Sequence, residues 1–134
     1  MACILIVEDE CLIAAALGLV LAEDGHQVCG VAATCADALA KAERFQPDLA
    51  LVDVRLAFGS SGIDAVRGLR ERHIPSIMLS AHAREDEARA AGAVGYLAKP
   101  YSVHTVLRAV REVLDGQGGF LPGRTIPAGA GMAG

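Results

Sequence analysis

Residues 49–53 read Leu-Ala-Leu-Val-Asp, a run of four apolar residues that ends on a carboxylate. A run of this length predicts a strand that is buried on both faces, as the strands of a parallel sheet usually are. An unpaired carboxylate is costly to bury beside such a strand. We therefore expect Asp53 to have a functional use at the carboxyl end of this strand.

The overall composition narrows the class of protein. The 134 residues fit one domain, and 53% hydrophobic residues with only 4% aromatic ones indicate an aliphatic core, as in layered α/β folds. The 12 basic residues against 16 acidic ones give a net charge of −4. Because no block of Lys or Arg is present, the sequence argues against a nucleic-acid-binding surface.

The cysteines and the apolar stretches predict a cellular location. Cys3, Cys11, Cys29 and Cys35 contain no CxxC pair and fall in apolar segments, so we expect small buried side chains in a reducing compartment rather than disulfides or zinc ligands. The longest charge-free stretch, residues 11–22, is too short to span a bilayer, and the N-terminus lacks the basic residues of a signal peptide. We expect a cytoplasmic protein without membrane association.

Strands and helices alternate along the chain. The predicted strands are residues 3–7, 27–32, 49–53, 76–80 and 95–98, and the predicted helices are residues 11–24, 35–46, 62–72, 84–91 and 102–115. Alternation of this kind predicts a parallel sheet covered on both faces. Residues 116–134 are rich in Gly and Pro, and we expect a flexible tail after a domain of residues 1–115.

The carboxyl ends of parallel strands meet at one edge of the sheet, where open α/β sheets bind their ligands. The side chains expected at that edge are Glu8, Asp9, Asp53, Ser80 and Lys99. Oxygen ligands without His or Cys suit a hard cation, and Mg²⁺ leaves coordination positions for phosphate oxygens. Such an ion and Lys99 could neutralise a phosphoryl group while the Asp53 carboxylate attacks its phosphorus.

These residues, in this order and spacing, resemble the CheY-like receiver domain of bacterial two-component response regulators over residues 2–115. The matching motifs are Glu8-Asp9, Leu51-Val52-Asp53, Met78-Leu79-Ser80-Ala81 and the run from Gly95 to Tyr101. The resemblance implies a flavodoxin-like (βα)5 fold, a doubly wound parallel sheet of five strands in the order 2-1-3-4-5. Glu8 and Ser80 depart from the Asp and Thr that are commoner in the family.

The resemblance also implies a role for each site residue. Asp53 would accept a phosphoryl group from a histidine kinase or a histidine phosphotransfer protein, and the domain would catalyse only its own phosphorylation and dephosphorylation. The Mg²⁺ ligands would be Asp9, Asp53 and the Arg55 backbone carbonyl, with Glu8 acting through water. The phosphoryl contacts would be Ser80, Ala81 and Lys99, the switch residues Ser80 and Tyr96, and the cis peptide bond Lys99-Pro100.

Two partner surfaces are predicted. The first helix is apolar on every side: Ile13, Leu17, Val20 and Leu21 fit an inward stripe, which leaves Leu12, Ala15 and Leu19 outward. We expect this outward patch, with Pro100 and Tyr101, to bind the phosphodonor or a second copy of the chain. The second surface is residues 84–91, 95–98 and 102–115, for a downstream protein or self-association.

Three other functions share part of this pattern. A receiver that binds partners without being phosphorylated remains an alternative. An aspartyl-phosphate phosphatase would carry a second acid two residues after the nucleophile, where this chain has Arg55, and a flavin-binding relative would need a phosphate loop where Glu8-Asp9-Glu10 stands. Apart from the site, His26, His73 and His104 are expected to be exposed to solvent.

Overall fold

A computed structural model of the chain describes residues 2–80 and 85–116. The strands are β1 (Cys3–Val7), β2 (Gln27–Ala32), β3 (Leu49–Asp53), β4 (Ser76–Ser80) and β5 (Gly95–Ala98); the helices are α1 (Cys11–Glu23), α2 (Cys35–Phe45), α3 (Gly62–Glu71), α4 (Glu85–Ala91) and α5 (Val103–Leu114). All ten predicted elements are present, and their ends agree to within one residue. Residue 84, where α4 was predicted to begin, and the tail residues 117–134 lie outside the described residues.

The strands form one parallel sheet in the order β2-β1-β3-β4-β5, which confirms the predicted fold. The register pairs Val7 with Val52, and Asp53 with Leu79. Because the strands end within about a residue of one another, their following side chains meet at one edge. We call it the carboxyl edge, and the opposite one the amino edge.

The sheet separates two apolar cores. Side chains of a strand alternate between the faces, so Leu5 and Val7 pack under α2, α3 and α4, while Ile4 and Ile6 pack under α1 and α5. The central strand β3 is buried along its whole length. This burial on both sides explains why residues 49–52 are all apolar.

Helix α1 buries a narrower stripe than its sequence predicts. Its fully buried residues are Ala14, Leu17 and Leu21, so the prediction was right for two of four inward positions. Ile13 and Val20 are only half-buried. On the outward side Leu12 is 86% exposed and Leu19 68%, and Ala15 is also exposed, as predicted.

The predictions for His26 and Cys11 were wrong. The His26 side chain is only 11% exposed, because its backbone N–H donates to the Leu21 carbonyl at 3.0 Å and brings the ring back against the end of α1. His73 and His104 are exposed as expected. Cys11 is exposed at the start of α1, the other three cysteines are half-buried, and all four thiols are free.

Within the described ranges, 2–80 and 85–116, no helix has the length and apolar character needed to cross a bilayer.

Candidate functional site

Asp53 lies at the end of β3, in the middle of the carboxyl edge, and is 8% exposed. Both oxygens of its carboxylate have hydrogen-bond donors. Lys99 Nζ donates to Oδ2 at 2.6 Å, and the Arg55 backbone N–H donates to Oδ1 at 3.0 Å. A charge-assisted contact of this length holds the carboxylate in place.

Glu8 lies beside Asp53 and is more deeply buried, at 3% exposed. Its Oε2 accepts the Glu10 backbone N–H at 3.2 Å, whereas its buried Oε1 has no hydrogen-bond partner among the described residues. Burial, together with the neighbouring Asp53 carboxyl, raises the pKa of the Glu8 carboxyl to about 8. An unsatisfied buried oxygen next to a second carboxylate favours a proton or a cation.

The residues beside Glu8 fit a hard cation. Carboxylate oxygens of Glu8, Asp9 and Glu10 lie within 4.8 Å of one another, with Asp9 and Glu10 exposed at the rim. Asp53 is not in this group and is engaged by Lys99 and Arg55 instead. An all-oxygen donor set with an unsatisfied member suits Mg²⁺, which commonly binds through one or two carboxylates.

Lys99 follows β5 and is held beside Ser80, whose backbone carbonyl accepts the Lys99 N–H at 2.7 Å. Partial burial alone would lower the pKa of the Lys99 ammonium, but the hydrogen bond and charge of Asp53 outweigh it and raise that pKa. Ser80 is buried at the end of β4. Ala81 lies outside the described residues, and the Lys99-Pro100 peptide bond is cis as the resemblance implied.

The two tyrosines differ in depth. Tyr96 is buried in the same apolar cluster as Ala88 and Ala91 of α4. Tyr101 is half-buried, and burial raises the pKa of its phenol. Tyr96 therefore occupies an inward position against α4, and Tyr101 faces the groove between α1 and α5.

Sequence reasoning missed Gly62. A Cβ built on this residue would lie 1.9 Å from the Asp53 backbone carbonyl oxygen, and its N–H donates to the Val54 carbonyl at 2.7 Å. Only glycine lets the start of α3 come this close to the peptide of Asp53. The one signal in the sequence is a glycine at the first position of a helix, directly after the capping residue Ser61.

The strand order, together with acids and a lysine at the carboxyl edge, defines a flavodoxin-like domain of the CheY type. Residues 4–111 match the sequence model of the family described as the response regulator receiver domain. The chain belongs to this family.

Two curated relatives illustrate the range of proteins that the chain resembles. It is 37% identical over 111 residues to the transcriptional regulatory protein PdtaR of Mycobacterium tuberculosis, a match that covers 80% of this chain and 54% of that protein. It is 46% identical over 81 residues to the phyllosphere-induced regulator PhyR of Methylorubrum extorquens, covering 59% of this chain and 30% of the relative. The chain thus spans about half the length of such relatives, or less.

Solved structures show the same architecture. A CheY-like response regulator receiver domain protein from Methanospirillum hungatei superposes with a TM-score of 0.79 at 30% identity, covering 87% of this chain and 96% of that one. The response regulator PhyR from Brucella abortus superposes with a TM-score of 0.72 at 32% identity, and there the match covers 87% of this chain and 49% of the other.

Proposed function

We propose that Asp53 is the sole phosphorylation site of this receiver, that it accepts the phosphoryl group from a histidine kinase or a histidine phosphotransfer protein in the cytoplasm, and that the product signals by a change of conformation. The observation that carries this proposal is the environment of the Asp53 carboxylate. It is nearly buried at the central strand end, in contact with Lys99 and beside Glu8. Buried carboxylates with such neighbours are typical of reactive sites.

In the proposed reaction an Asp53 carboxylate oxygen attacks the phosphorus of a phosphohistidine. A P–O bond forms to Asp53 as the P–N bond breaks, and the electron pair stays on the leaving imidazole nitrogen, which takes up a proton. The Lys99 ammonium, 2.6 Å from Oδ2 before reaction, is placed to neutralise phosphoryl oxygens. The Ser80 hydroxyl and the Ala81 backbone are proposed as further contacts of that group.

The residues that would hold Mg²⁺ are Asp9, Asp53 and the Arg55 backbone carbonyl, with Glu8 beside them through water. The unsatisfied Glu8 Oε1 supports a cation at this place. When bound, the ion would supply positive charge that offsets repulsion between the carboxylates and an incoming phosphoryl group. The chain's own residues contribute the nucleophile, its orientation by the Arg55 N–H, and the fixed cation of Lys99.

The output is proposed to leave the site through Ser80 and Tyr96 toward α4, β5 and α5. Tyr96 is buried against α4 residues, and α4 is short, with Ala88 and Ala91 as its buried side chains. So little apolar contact leaves α4 easy to displace. A contact between Ser80 and the phosphoryl group would stabilise one position of Tyr96 and α4, and a downstream protein or a second copy would bind that face.

Labelling with acetyl phosphate and Mg²⁺ tests the assignment. Intact mass should show one added phosphoryl group on the native chain and none on Asp53→Asn, while Asp64→Asn, an exposed acid of α3, should label normally. Equal labelling of Asp53→Asn would refute the proposal. If phosphorylation occurs but beryllofluoride leaves amide exchange in α4, β5 and α5 unchanged, the proposed output face is wrong.

The phosphodonor is proposed to bind the outward side of α1 together with the loop after β5. Leu12, Ala15 and Leu19 form an exposed apolar patch, and Pro100 and Tyr101 lie on the neighbouring loop. The paired helices of a kinase or phosphotransfer protein present apolar side chains that suit such a patch.

Leu12→Glu with Leu19→Glu should leave folding and acetyl phosphate labelling unchanged, because both side chains are exposed. Transfer from the protein donor should slow at least tenfold, as it would when two interface anchors of over 0.7 kcal/mol each are lost. Glu23→Gln at the far end of α1 serves as the control. An unchanged transfer rate would place the donor elsewhere on the surface.

The alternative of a receiver that binds its partners without phosphorylation is less well supported, because the carboxylate, its lysine and its acidic neighbours are all in place. The same labelling experiment separates the two functions. A native chain that takes up no phosphoryl group from acetyl phosphate or from kinase would favour the binding module.

A further inference from the structure

A second apolar surface lies beside the α1 patch and is not used by the proposed reaction. It is a groove of about 280 Å³ between α1 and α5. Its walls include Leu12, Ile13, Ala16 and Val20 of α1 and Val103 and Val106 of α5. Leu12 and Val103, in the first turns of the two helices, are exposed apolar side chains at the end of the groove nearer the carboxyl edge. An exposed apolar groove of this kind is typical of a binding site.

The chain itself continues beyond the described residues with a segment that has the right chemistry. Residues 117–134 contain two adjacent large apolar residues, Phe120 and Leu121. The only charged side chain among residues 117–134 is that of Arg124. Helix α5 ends at Leu114, and Gly116, at φ +76°, donates its N–H to the Val113 carbonyl. A left-handed residue at this position ends the helix and redirects the chain.

Helices α1 and α5 run in the same direction, from the carboxyl edge to the amino edge. At the amino edge Arg111 Nε of α5 donates to Asp24 Oδ2, directly after α1, at 3.0 Å, whereas Leu12 and Val103 in the first turns line the groove. The groove therefore begins near Val106 and extends toward the carboxyl edge. A segment that follows Gly116 must run back along α5 to reach it.

The lengths match. Val106 precedes Gly116 by ten residues, which is about 15 Å along a helix. Four or five extended residues after Gly116 cover roughly 13–17 Å, so Phe120 and Leu121 reach the end of the groove near Val106. Arg124 is eight residues from Gly116, or roughly 26 Å of extended chain, which brings it level with the start of α1.

We propose that the segment after α5 folds back onto its own domain, with Phe120 and Leu121 in the α1–α5 groove and Arg124 against the exposed carboxylate of Glu10. Charge complementarity supports the direction, because the only charge of the segment meets an acid at the carboxyl edge. A short tether gives an effective concentration of the order of millimolar. A free partner of equal affinity must exceed that concentration to compete for the groove.

The consequence for regulation rests on the proposed function. Leu12 belongs both to the groove and to the patch proposed for the phosphodonor. A docked segment therefore covers part of the donor surface and opposes transfer from a protein donor. Small phosphoryl donors need no such surface, so the docked segment opposes their reaction with Asp53 less than it opposes transfer from a protein donor.

Nuclear Overhauser contacts in the full-length chain test the docking directly. We expect contacts between the Phe120 ring and the methyl groups of Ala16, Val20 or Val106. In the full-length variant Phe120→Ser with Leu121→Ser these contacts are lost and the groove methyl signals shift. Met132→Ser, which removes an apolar side chain from the same segment, should leave them unchanged.

A mixture of isotope-labelled and unlabelled chains separates the possible occupants. Contacts within one chain at every dilution support the proposal. Contacts only between chains mean that a second copy fills the groove. Groove signals that are identical in the native chain, in Phe120→Ser with Leu121→Ser and in Met132→Ser mean that the segment does not dock. Either result overturns the proposal. Because no phosphorylation is involved, this failure is distinct from a failure of Asp53 to label.

Discussion

The two edges of the sheet hold similar charged groups in opposite ways. At the carboxyl edge Glu8 and Asp53 are buried side by side, with Lys99 as the cation in contact. At the amino edge Asp24 pairs with Arg111, whose side chain is 60% exposed, and lies 3.6 Å from His26. The carboxyl edge therefore places two acids against one cation, and the amino edge places one acid between a cation and an imidazole ring.

The pKa values follow this difference. Burial raises the pKa of the Glu8 carboxyl to about 8, whereas a hydrogen bond from Arg111 lowers the pKa of the Asp24 carboxyl. The carboxylate pair at the carboxyl edge lacks charge balance, and a proton, a cation or a phosphoryl-transfer reaction can relieve this. The amino edge is balanced already, so its ion pair has a structural role at most.

The largest effect is expected from removing the cation of the carboxyl edge. Lys99→Met leaves Asp53 without its charged donor, so labelling by acetyl phosphate should slow by roughly 10²-fold, as when one preorganised donor is lost from an active site. The initial rate by intact mass measures it. Arg111→Met removes the corresponding cation of the amino edge and should label at the native rate.

Because Lys99→Met also strips a buried carboxylate of its partner, its folding must be checked by circular dichroism. Lys99→Arg keeps the positive charge and therefore serves as a second control, which separates loss of the charge from a folding defect. If folded Lys99→Met labels as fast as the native chain, the contrast between the two edges has no catalytic meaning.

A smaller effect is expected from neutralising Glu8. The folded pKa of about 8 exceeds the ordinary value of 4.5, so the folded chain binds the proton more tightly than the unfolded chain does. Stability then falls as the pH rises from 4.5 to about 8. In the presence of EDTA, Glu8→Gln should match the native melting temperature near pH 4.5 and exceed it near pH 8.

The expected gain is about 1–3 kcal/mol, the range for an unsatisfied buried polar group, which corresponds to at least several degrees in a domain of this size. Thermal unfolding at several pH values measures it. Asp9→Asn, at an exposed neighbouring position, is the control. The difference between its melting temperature and that of the native chain should not change with pH. A constant difference across the pH range would contradict the burial argument.

The smallest effect is expected at the amino edge. The Asp24 pKa is lowered in the folded chain, so the pair stabilises the fold above the ordinary carboxyl pKa of 3.8 and loses this contribution as the pH falls through the folded value. Solvent screens a pair whose arginine side chain is 60% exposed, so Asp24→Asn should shift the melting temperature at pH 7 by little more than the error of the measurement. A large shift would show that the ion pair of the amino edge contributes more to stability than this contrast between the edges allows.

The sequence predicted the elements and the composition of the carboxyl edge, because parallel connection forces strand-end residues such as Asp53 and Lys99 together. It could not predict which carboxylate oxygen stays unsatisfied, since that depends on side-chain conformation. Nor did the pattern indicate that His26 turns inward or that Ala14 replaces Ile13 in the core. Those outcomes depend on how closely the chain turns from α1 into β2, and the spacing of hydrophobic residues does not encode this.

The contact between Gly62 and the Asp53 carbonyl has a consequence for mutational tolerance. Position 62 carries no functional group, yet every other L-amino acid would place a carbon against the peptide that supports the nucleophile. In a scan of all single substitutions this silent backbone position would therefore score like a reacting side chain. The intolerance would reflect the shape of the main chain, and a list of sensitive positions read without the structure would assign chemistry to a residue that has none.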